Sequence, residues 1–325
     1  MIGYIFWLIT GLVLILIGAN VLTDGSAAIA RKIGISDLVV GLTIVAFGTS
    51  APELVISAVS AAKGSAPLAI GNVVGSNIFN ILAIIGVTAM VRPIVIRKSI
   101  MTNEIPMVIL CSIILLVLGK SGIFNGTKLN EISRTNAILL LIFFLIFLRY
   151  TFATASKSEK QPEKDNASVE ESAPLPIWRG IIYVILGLVA LIYGGDKFVE
   201  GASGIAMGLG VSEAVIGLTI VAAGTSLPEL ATSVVAALKG KPELAVGNVI
   251  GSNIFNTLLV LGVAGVIVPL PFGDIGNFDL LTLLGASVAF YIFGWFFKTR
   301  TITRWEGTVL ALGYVGYIAI LLYQL

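Results

Sequence analysis

Apolar residues dominate the chain in long runs that short polar segments interrupt. A helix crosses the hydrocarbon core of a bilayer with about 20 mainly apolar residues, and the runs predict ten membrane-spanning helices. They lie at residues 3–22, 38–62, 67–91, 101–119, 134–150, 177–198, 213–237, 243–268, 278–297 and 305–323. The longest polar segment, residues 151–176, divides them into two groups of five. The pattern therefore predicts an all-α membrane protein.

The amino-acid composition excludes several classes of function. Of the 325 residues, 57% are apolar and only 12% are charged, which excludes a soluble enzyme and a nucleic-acid binder. The chain has no histidine, so histidine-based metal sites and catalytic triads are excluded. It has no phosphate-binding loop motif, so we expect neither a nucleotide nor a cofactor. The single cysteine, Cys111, lies in an apolar run and is expected to serve packing.

Lysine and arginine are distributed unevenly between the two sides of the membrane. When the predicted loops alternate between sides, 15 of the 20 basic residues fall on the side that holds residues 151–176. Basic loops stay in the cytoplasm, so both termini are expected outside, in the plasma membrane of a prokaryotic cell. The mixed charge of residues 151–176 predicts a flexible cytoplasmic linker. The expected partners are membrane lipids and inorganic cations, and a monomer is the simplest expectation.

The two groups of helices contain a repeated sequence. Residues 36–80 and 212–256 align without a gap at an offset of 176, and 30 of the 45 positions are identical. Duplication of one unit explains this identity, so residues 1–150 and 177–325 are predicted to be two five-helix repeats. Because five is odd, the second repeat enters the membrane from the opposite side. Inverted repeats are typical of secondary transporters, whose binding sites lie near the midplane where the repeats meet.

Each repeat carries one glutamate inside an apolar span. Glu53 lies in FGTSAPEL of the second predicted helix, and Glu229 lies in AGTSLPEL of the seventh. A carboxylate at the centre of a membrane costs about 2.5–3.5 kcal/mol on insertion scales, and no lysine or arginine lies at a comparable depth. A bound cation is the simplest source of the missing positive charge. The alternative is that both acids are protonated and structural.

Polar groups near these glutamates supply further oxygen atoms. Pro52 and Pro228 interrupt helical hydrogen bonding and free backbone carbonyls on the preceding turn. In GNVVGSNIFN and GNVIGSNIFN, a serine and an asparagine four residues apart share one helix face, whereas the GxxxG glycines favour close helix packing. An oxygen-only site with two acids suits Ca²⁺, which takes 6–8 oxygen ligands, better than zinc or copper. The hydroxyl and amide candidates are Thr49, Ser50, Ser76, Asn80, Thr225, Ser226, Ser252 and Asn256.

The duplicated motifs G-T-S-x-P-E and G-N-V-x-G-S-N-I-x-N resemble the alpha repeats of the sodium/calcium exchanger family, within the cation/calcium antiporter superfamily. The resemblance covers essentially the whole chain and implies a prokaryotic exchanger. Its site would be formed by the second, third, seventh and eighth helices, and its first and sixth helices would slide to switch access. The implied metal ligands for Ca²⁺ and Na⁺, the alanines acting through their carbonyl oxygens, are Ala46, Thr49, Ser50, Glu53, Ser76, Asn80, Ala222, Thr225, Ser226, Glu229, Ser252 and Asn256.

Two details of the motifs imply a branch of that family. Some members carry aspartate at the position of Asn256, and the potassium-dependent branch relies on an acid there, so Asn256 favours a potassium-independent exchanger. The proton-coupled branch has G-N-A-x-E phrases. This chain reads Gly-Asn-Val at residues 71–73 and 247–249, with no acid following, which argues against that branch.

The expected function is antiport of Ca²⁺ against Na⁺ at a site centred on Glu53 and Glu229. A Ca²⁺/H⁺ antiporter stays open as an alternative, because two protons balance two carboxylates as well as Ca²⁺ does. A cation channel is a weaker alternative, because a pore more often shows a ring of carbonyls or acids along an open path. A membrane-embedded hydrolase is disfavoured, since Ser76 and Ser226 have no histidine or nearby lysine as a base.

Overall fold

The part of the chain that the computed structural model describes is almost entirely helical, and comprises residues 2–64, 66–122, 130–158, 176–209, 222–273, 275–297 and 300–323. Within these ranges, eight helices are long and apolar enough to span a membrane, and two helices joined by a bend make a ninth when they are counted as one span. The helices are α1 (Ile2–Ile33), α2 (Asp37–Thr49), α3 (Ala51–Ala62), α4 (Ala66–Val91), α5 (Ile100–Leu118), α6 (Arg134–Ser158), α7 (Ile177–Gly208), α8 (Ala222–Thr225), α9 (Leu227–Leu238), α10 (Pro242–Ile267), α11 (Asn277–Trp295) and α12 (Arg304–Tyr323).

The prediction of an all-α membrane protein is confirmed, whereas the described residues do not establish a count of ten spans. The seventh predicted helix, 213–237, begins within residues 210–221, which lie outside the described ranges. Its remainder forms the short helix α8 and the helix α9.

Three helices are longer than the apolar runs that predicted them. α1 and α7 each contain 32 residues, which is about 48 Å of helix and exceeds the roughly 30 Å hydrocarbon core. Hydropathy marks only the lipid-exposed part of a helix, while small and helix-forming residues extend it beyond that part. α6 likewise continues to Ser158, into the range 151–176 that was predicted to be linker. Residues 159–175 of that range lie outside the described chain.

The helices α1 and α7 pack against each other as an antiparallel pair. Glycines recur every seven residues, at positions 11, 18 and 25 of α1 and at 180, 187, 194 and 201 of α7. A β-carbon added at Gly18 would lie 2.8 Å from the Gly187 carbonyl oxygen, and one at Gly25 would lie 2.8 Å from that of Gly180. The glycines therefore bring the two backbones into contact along this seam. We call these seven positions the glycine seam.

Two short pairs of antiparallel strands join the loops. β1 (Ile94–Val95), between α4 and α5, pairs with β4 (Thr301–Ile302), which precedes α12. β2 (Glu131–Ile132), which precedes α6, pairs with β3 (Leu270–Pro271), which follows α10. Each pair joins two loops that the alternation of helices assigns to the same side of the membrane.

The helices α4 and α10, which carry the duplicated GNVxGSNIFN motif, form the centre of the fold. In its most apolar 18-residue window, α4 is 83% buried and α10 is 78% buried, against 28% for α1 and α7. The hydrogen-bond register shifts to a π-helix at Asn80–Ile84 in α4 and at Phe255–Val260 in α10. These turns contain Asn80 and Asn256. Further π-helical turns lie at Gly41–Val45, Ile100–Glu104 and Phe293–Phe297.

The GxxxG glycines of the two repeats have different surroundings. A β-carbon on Gly251 would lie 2.6 Å from that of Ala46, and one on Gly247 would lie 2.7 Å from the Leu38 carbonyl oxygen. These two glycines therefore seat α10 closely on α2, as predicted. The segment equivalent to α2 in the second repeat lies largely in residues 210–221, outside the described chain, so the matching contact of Gly71 and Gly75 stays a prediction.

Candidate functional site

Two broken helices place the predicted glutamates. α2 ends at Thr49, and α3 starts at Ala51 with a bend of 46° between them. α8 and α9 break in the same way at Ser226. In each case a proline follows as the second residue of the new helix and cannot donate a backbone hydrogen bond. Glu53 and Glu229 then lie in the first turns of α3 and α9, where the helix dipole favours a negative charge.

Hydrogen bonds cross between the repeats and bring the two glutamates into one site. Ser50 Oγ donates to Glu229 Oε1 at 3.0 Å, and Ser226 Oγ donates to Glu53 Oε1 at 3.1 Å. Ser252 Oγ on α10 also approaches Glu229 Oε1, at 3.4 Å. Both glutamates have zero exposed surface. The five side chains therefore form one buried cluster at the breaks of the two helices.

The two glutamates of the site have no basic partner in the described part of the chain. Among the described residues, no lysine or arginine forms an ion pair with either glutamate. Several buried oxygen atoms of the predicted ligands have no hydrogen-bond partner in the described chain, and each such group costs about 1–3 kcal/mol if left unsatisfied. They are Glu53 Oε2, Glu229 Oε2, Ser76 Oγ, Asn80 Oδ1 and Asn256 Oδ1. This set of oxygen atoms fits a hard cation.

The remaining predicted ligands occupy the ends of α2 and α8. Thr49 is fully buried, and its hydroxyl donates to Asn248 Oδ1 at 3.1 Å. The Ala46 carbonyl accepts the Ser50 backbone N–H at 2.9 Å. Thr225 is half-buried at the end of α8. Ala222 begins that helix, and its side chain lies outside the described part. These positions adjoin the glutamate cluster, and their role as ligands stays a prediction.

A pair of asparagines that the sequence analysis did not select supports the two glutamate helices. Asn248 Nδ2 donates to the Glu229 carbonyl oxygen at 3.3 Å and to Ser233 Oγ at 3.1 Å. Asn72 Nδ2 donates to the Glu53 carbonyl oxygen at 3.4 Å and to the equivalent serine of its own repeat, Ser57, at 3.0 Å. Each asparagine ties the main chain at a glutamate to the central helix beside it. Their presence in both copies of the motif was the signal that could have identified them.

A second supporting network surrounds Asn256, and the described residues show no counterpart of it at Asn80. Asn256 Nδ2 donates to Asn77 Oδ1 at 3.2 Å, and Asn77 Nδ2 donates to Thr257 Oγ1 at 3.0 Å. With its N–H group engaged, Asn256 keeps its oxygen free as an acceptor. In the other repeat, the position of Thr257 is taken by Ile81, and neither polar atom of Asn80 has a partner among the described residues.

We predict that Thr257→Val weakens cation binding while leaving the fold intact. Asn77 then loses its better acceptor and holds Asn256 less firmly, and the loss of one such hydrogen bond, about 1 kcal/mol, corresponds to an affinity about fivefold lower. The half-saturating Ca²⁺ concentration for transport measures this effect. Ile81→Val, at the equivalent position without a hydroxyl, is the matched control and should leave the value unchanged. Equal shifts in both variants would contradict a role for the Thr257 hydroxyl.

A cavity of about 470 Å³ adjoins the two helix breaks. It lies between α3, represented by Pro52 and Val55, and α7, represented by Gly195 and Asp196, and it extends to Thr225. Its lining is mostly apolar, while the side chain of Asp196 is 71% exposed. The cavity therefore lies beside the residues that break the two helices, between the first-repeat glutamate helix and α7.

Comparisons with known proteins agree with this architecture. The chain matches the family model described as sodium/calcium exchanger protein over residues 3–153 and 179–323. CaxA of Alkalimonas amylolytica is 38% identical over 317 residues, which is 96% of both chains. Sodium/calcium exchanger MaX1 of Methanosarcina acetivorans is 31% identical over 346 residues, which is 97% of both chains.

A solved structure has the same fold. The sodium-calcium exchanger NCX_Mj, soaked with Na⁺ and Sr²⁺, matches with a TM-score of 0.81 and 33% sequence identity, and the match covers 98% of both chains. The likeness extends over both halves of the described chain and therefore includes the helices that carry the glutamate cluster.

Proposed function

Because the chain belongs to the sodium/calcium exchanger protein family, we propose that it exchanges Ca²⁺ for Na⁺ by alternating access, with the cations bound at Glu53 and Glu229. Proteins of this family are transporters and not catalytic enzymes, and the chain is a multi-pass membrane antiporter. The transported ions are its substrates, and no further cofactor is required.

The burial of two carboxyl groups that have no basic partner among the described residues is the observation that carries the proposal. Two carboxylates with zero exposure, each hydrogen-bonded by a serine of the opposite repeat, stay ionised only if positive charge reaches them. One Ca²⁺ neutralises both. We infer that the unpartnered oxygen atoms of Ser76, Asn80 and Asn256 contribute to an oxygen shell of the kind that Ca²⁺ and Na⁺ both accept.

The same charge explains why transport would be an exchange and not a leak. A site without cations keeps two negative charges away from water, and desolvating an unpaired ion costs several kcal/mol. The empty protein therefore does not switch sides readily, whereas a protein neutralised by Ca²⁺ or by Na⁺ does. After one ion is released, the other ion must bind before the site can face the first side of the membrane again.

The names of two relatives favour Na⁺ as the counter-ion. MaX1 is called a sodium/calcium exchanger, and NCX_Mj was soaked with Na⁺, Ca²⁺ and Sr²⁺. We extend this coupling to the present chain and assign cation contacts to the twelve predicted ligands. Proton coupling is the competing proposal, because Glu53 and Glu229 could each take up one proton.

The proposed topology has ten spans in two inverted repeats with both termini outside. The antiparallel packing of α1 on α7 supports the inversion, because these helices are equivalent in the two repeats. The strand pairs β1–β4 and β2–β3 support the alternation of loops. The excess of lysine and arginine on the side of residues 151–176 supports a cytoplasmic linker and a location in a prokaryotic plasma membrane.

Uptake of radioactive Ca²⁺ into proteoliposomes tests the coupling ion. We expect rapid uptake when Na⁺-loaded vesicles are diluted into Na⁺-free buffer, no stimulation by added K⁺, and loss of uptake when an ionophore dissipates the Na⁺ gradient. Uptake driven by a pH gradient but not by Na⁺ would identify a proton exchanger instead. Uptake without any counter-gradient, together with single-channel current steps, would identify a channel.

A further inference from the structure

Charged residues outside the cation site also occupy equivalent positions in the two repeats. Asp24 on α1 and Glu200 on α7 are separated by the repeat offset of 176, and so are Lys63 and Lys239. Lys63 directly follows α3, and Lys239 directly follows α9. Asp24 and Glu200 therefore occupy equivalent positions on the long helices α1 and α7, and Lys63 and Lys239 occupy equivalent positions at the ends of the two glutamate helices.

One acid and one lysine, from opposite repeats, are joined in the structure. Lys239 Nζ lies 2.7 Å from Asp24 Oδ1 and donates to the Asn20 carbonyl oxygen at 3.0 Å. The pair connects α1 to the end of α9. On this side, α1 is closely packed, and its residues Ala19, Leu22 and Thr23 are buried.

The equivalent acid and lysine are in different environments. Glu200 Oε2 lies 2.6 Å from Lys197 Nζ on the same helix, and Lys63 is exposed. Between α7 and α3 lies the cavity described above, lined by Val199 on one wall and Val55 on the other. The ion pair between α1 and the end of α9 is thus formed, whereas the equivalent ion pair between α7 and the end of α3 is not.

We propose that Asp24–Lys239 and Glu200–Lys63 are alternative latches, and that each transport cycle breaks one and forms the other. The inference rests on the proposed function, because it uses alternating access. Two copies of one structural unit can each adopt the conformation that the other shows, and this exchange reverses the open side of an inverted-repeat transporter. The exchange would break the Asp24–Lys239 ion pair, form the Glu200–Lys63 ion pair and close the cavity.

Lys197 makes the two latches unequal. It holds Glu200 locally and lies over the Trp7 ring at 4.8 Å from the ring centroid. The equivalent position on α1 is Val21, so Asp24 has no such competitor there. Glu200 must leave Lys197 before it can reach Lys63, which stabilises the conformation described here over its opposite.

Paired cysteines test the latches directly. In a Cys111→Ser background, one variant carries Asp24→Cys with Lys239→Cys, and another carries Lys63→Cys with Glu200→Cys. With a short thiol cross-linker under opposing Na⁺ and Ca²⁺ gradients, both pairs should cross-link, each link should stop transport, and its reduction should restore it. Arg97→Cys with Glu243→Cys, which replaces an ion pair away from α1 and α7, should cross-link equally under all ion conditions. Failure of the Lys63–Glu200 pair to link during turnover would overturn the proposal.

Labelling of a cavity residue provides a test that keeps the cysteines away from the latches. A Val55→Cys variant reports the open cavity through its reaction rate with a membrane-impermeant maleimide. Adding Asp24→Asn should lower this rate about two- to fivefold, the effect of one partly exposed ion pair, whereas adding Glu200→Gln should not lower it. Exchanging the charges, with Asp24→Lys and Lys239→Asp together, should restore the rate. If Asp24→Asn and Glu200→Gln lower the labelling rate equally, the latch proposal is rejected.

Both measurements are independent of which ions are carried. If Na⁺ does not drive Ca²⁺ uptake but the cross-links still exchange during turnover with another counter-ion, only the proposed coupling fails. If Na⁺ drives uptake and the cross-links do not exchange, only the latch proposal fails.

Discussion

Replacing either Glu53 or Glu229 by glutamine is expected to abolish Ca²⁺ exchange. Each substitution leaves the shape of the site nearly unchanged but leaves only one negative charge to balance a divalent ion. Removing one partner of a buried charge pair costs about 3–5 kcal/mol, which is more than a hundredfold in affinity. Initial rates of Na⁺-driven Ca²⁺ uptake in proteoliposomes measure the loss.

Thermal unfolding separates a binding defect from a folding defect. A ligand that binds only the folded state raises its stability in proportion to its affinity, so Ca²⁺ should raise the melting temperature of the wild-type protein and not that of either variant. Without Ca²⁺, both variants should unfold at or above the wild-type temperature, because each removes an unpaired buried charge. Glu104→Gln, which changes another buried glutamate in α5, should keep both uptake and the Ca²⁺ response. A full Ca²⁺ response in Glu53→Gln or Glu229→Gln would reject the site.

Replacing Gly18 by valine is expected to stop transport through a different route. A β-carbon there would lie 2.8 Å from the Gly187 carbonyl oxygen and 2.9 Å from the Leu191 backbone nitrogen, so the two helices must separate. Overpacking of this kind typically costs about 1–3 kcal/mol. Because α1 and α7 contact each other through the glycine seam, separation displaces the helices that bound the cavity and the Asp24–Lys239 pair.

The expected result for Gly18→Val is transport reduced at least tenfold in a protein that still inserts into membranes, since its hydropathy rises. Quantitative uptake normalised to the amount of protein in the vesicles measures it. Gly316→Val in α12 is the matched control, because a β-carbon at that position meets nothing within 4 Å among the described residues, and it should transport normally. Normal uptake by Gly18→Val would show that close backbone contact in the seam is dispensable.

Much of the candidate site was accessible from the sequence because the chain contains it twice. Glu53 and Glu229, together with the serines three residues before them, stood out as polar groups in apolar helices, and the structure joins them in one cluster. The supporting Asn72 and Asn248 were visible in the motif, but their roles were not, because a hydrogen bond to a main-chain carbonyl leaves no sequence pattern. The difference between Thr257 and Ile81 was also visible but had no meaning until Asn77 was placed beside Thr257.

Helix lengths show a second limit of sequence analysis. Hydropathy located α1 and α7 but ended both about ten residues early, because it reports transfer into lipid and not the backbone hydrogen bonds that continue a helix. The heptad of glycines along both helices was present in the sequence. Only the structure showed that the two sets face each other across one antiparallel contact.

The sequence by itself determined the membrane environment and the duplication, because apolar runs require a membrane and a gapless match at an offset of 176 requires two copies. It also predicted the chemistry, because two acids without basic neighbours favour a bound cation. These are properties of composition and spacing, which the order of residues records. The tertiary structure alone decided that each serine serves the glutamate of the opposite repeat, and that one related ion pair is closed while the other is open. Both depend on contacts between residues more than 170 positions apart, and two copies of one motif do not indicate which conformation each copy adopts.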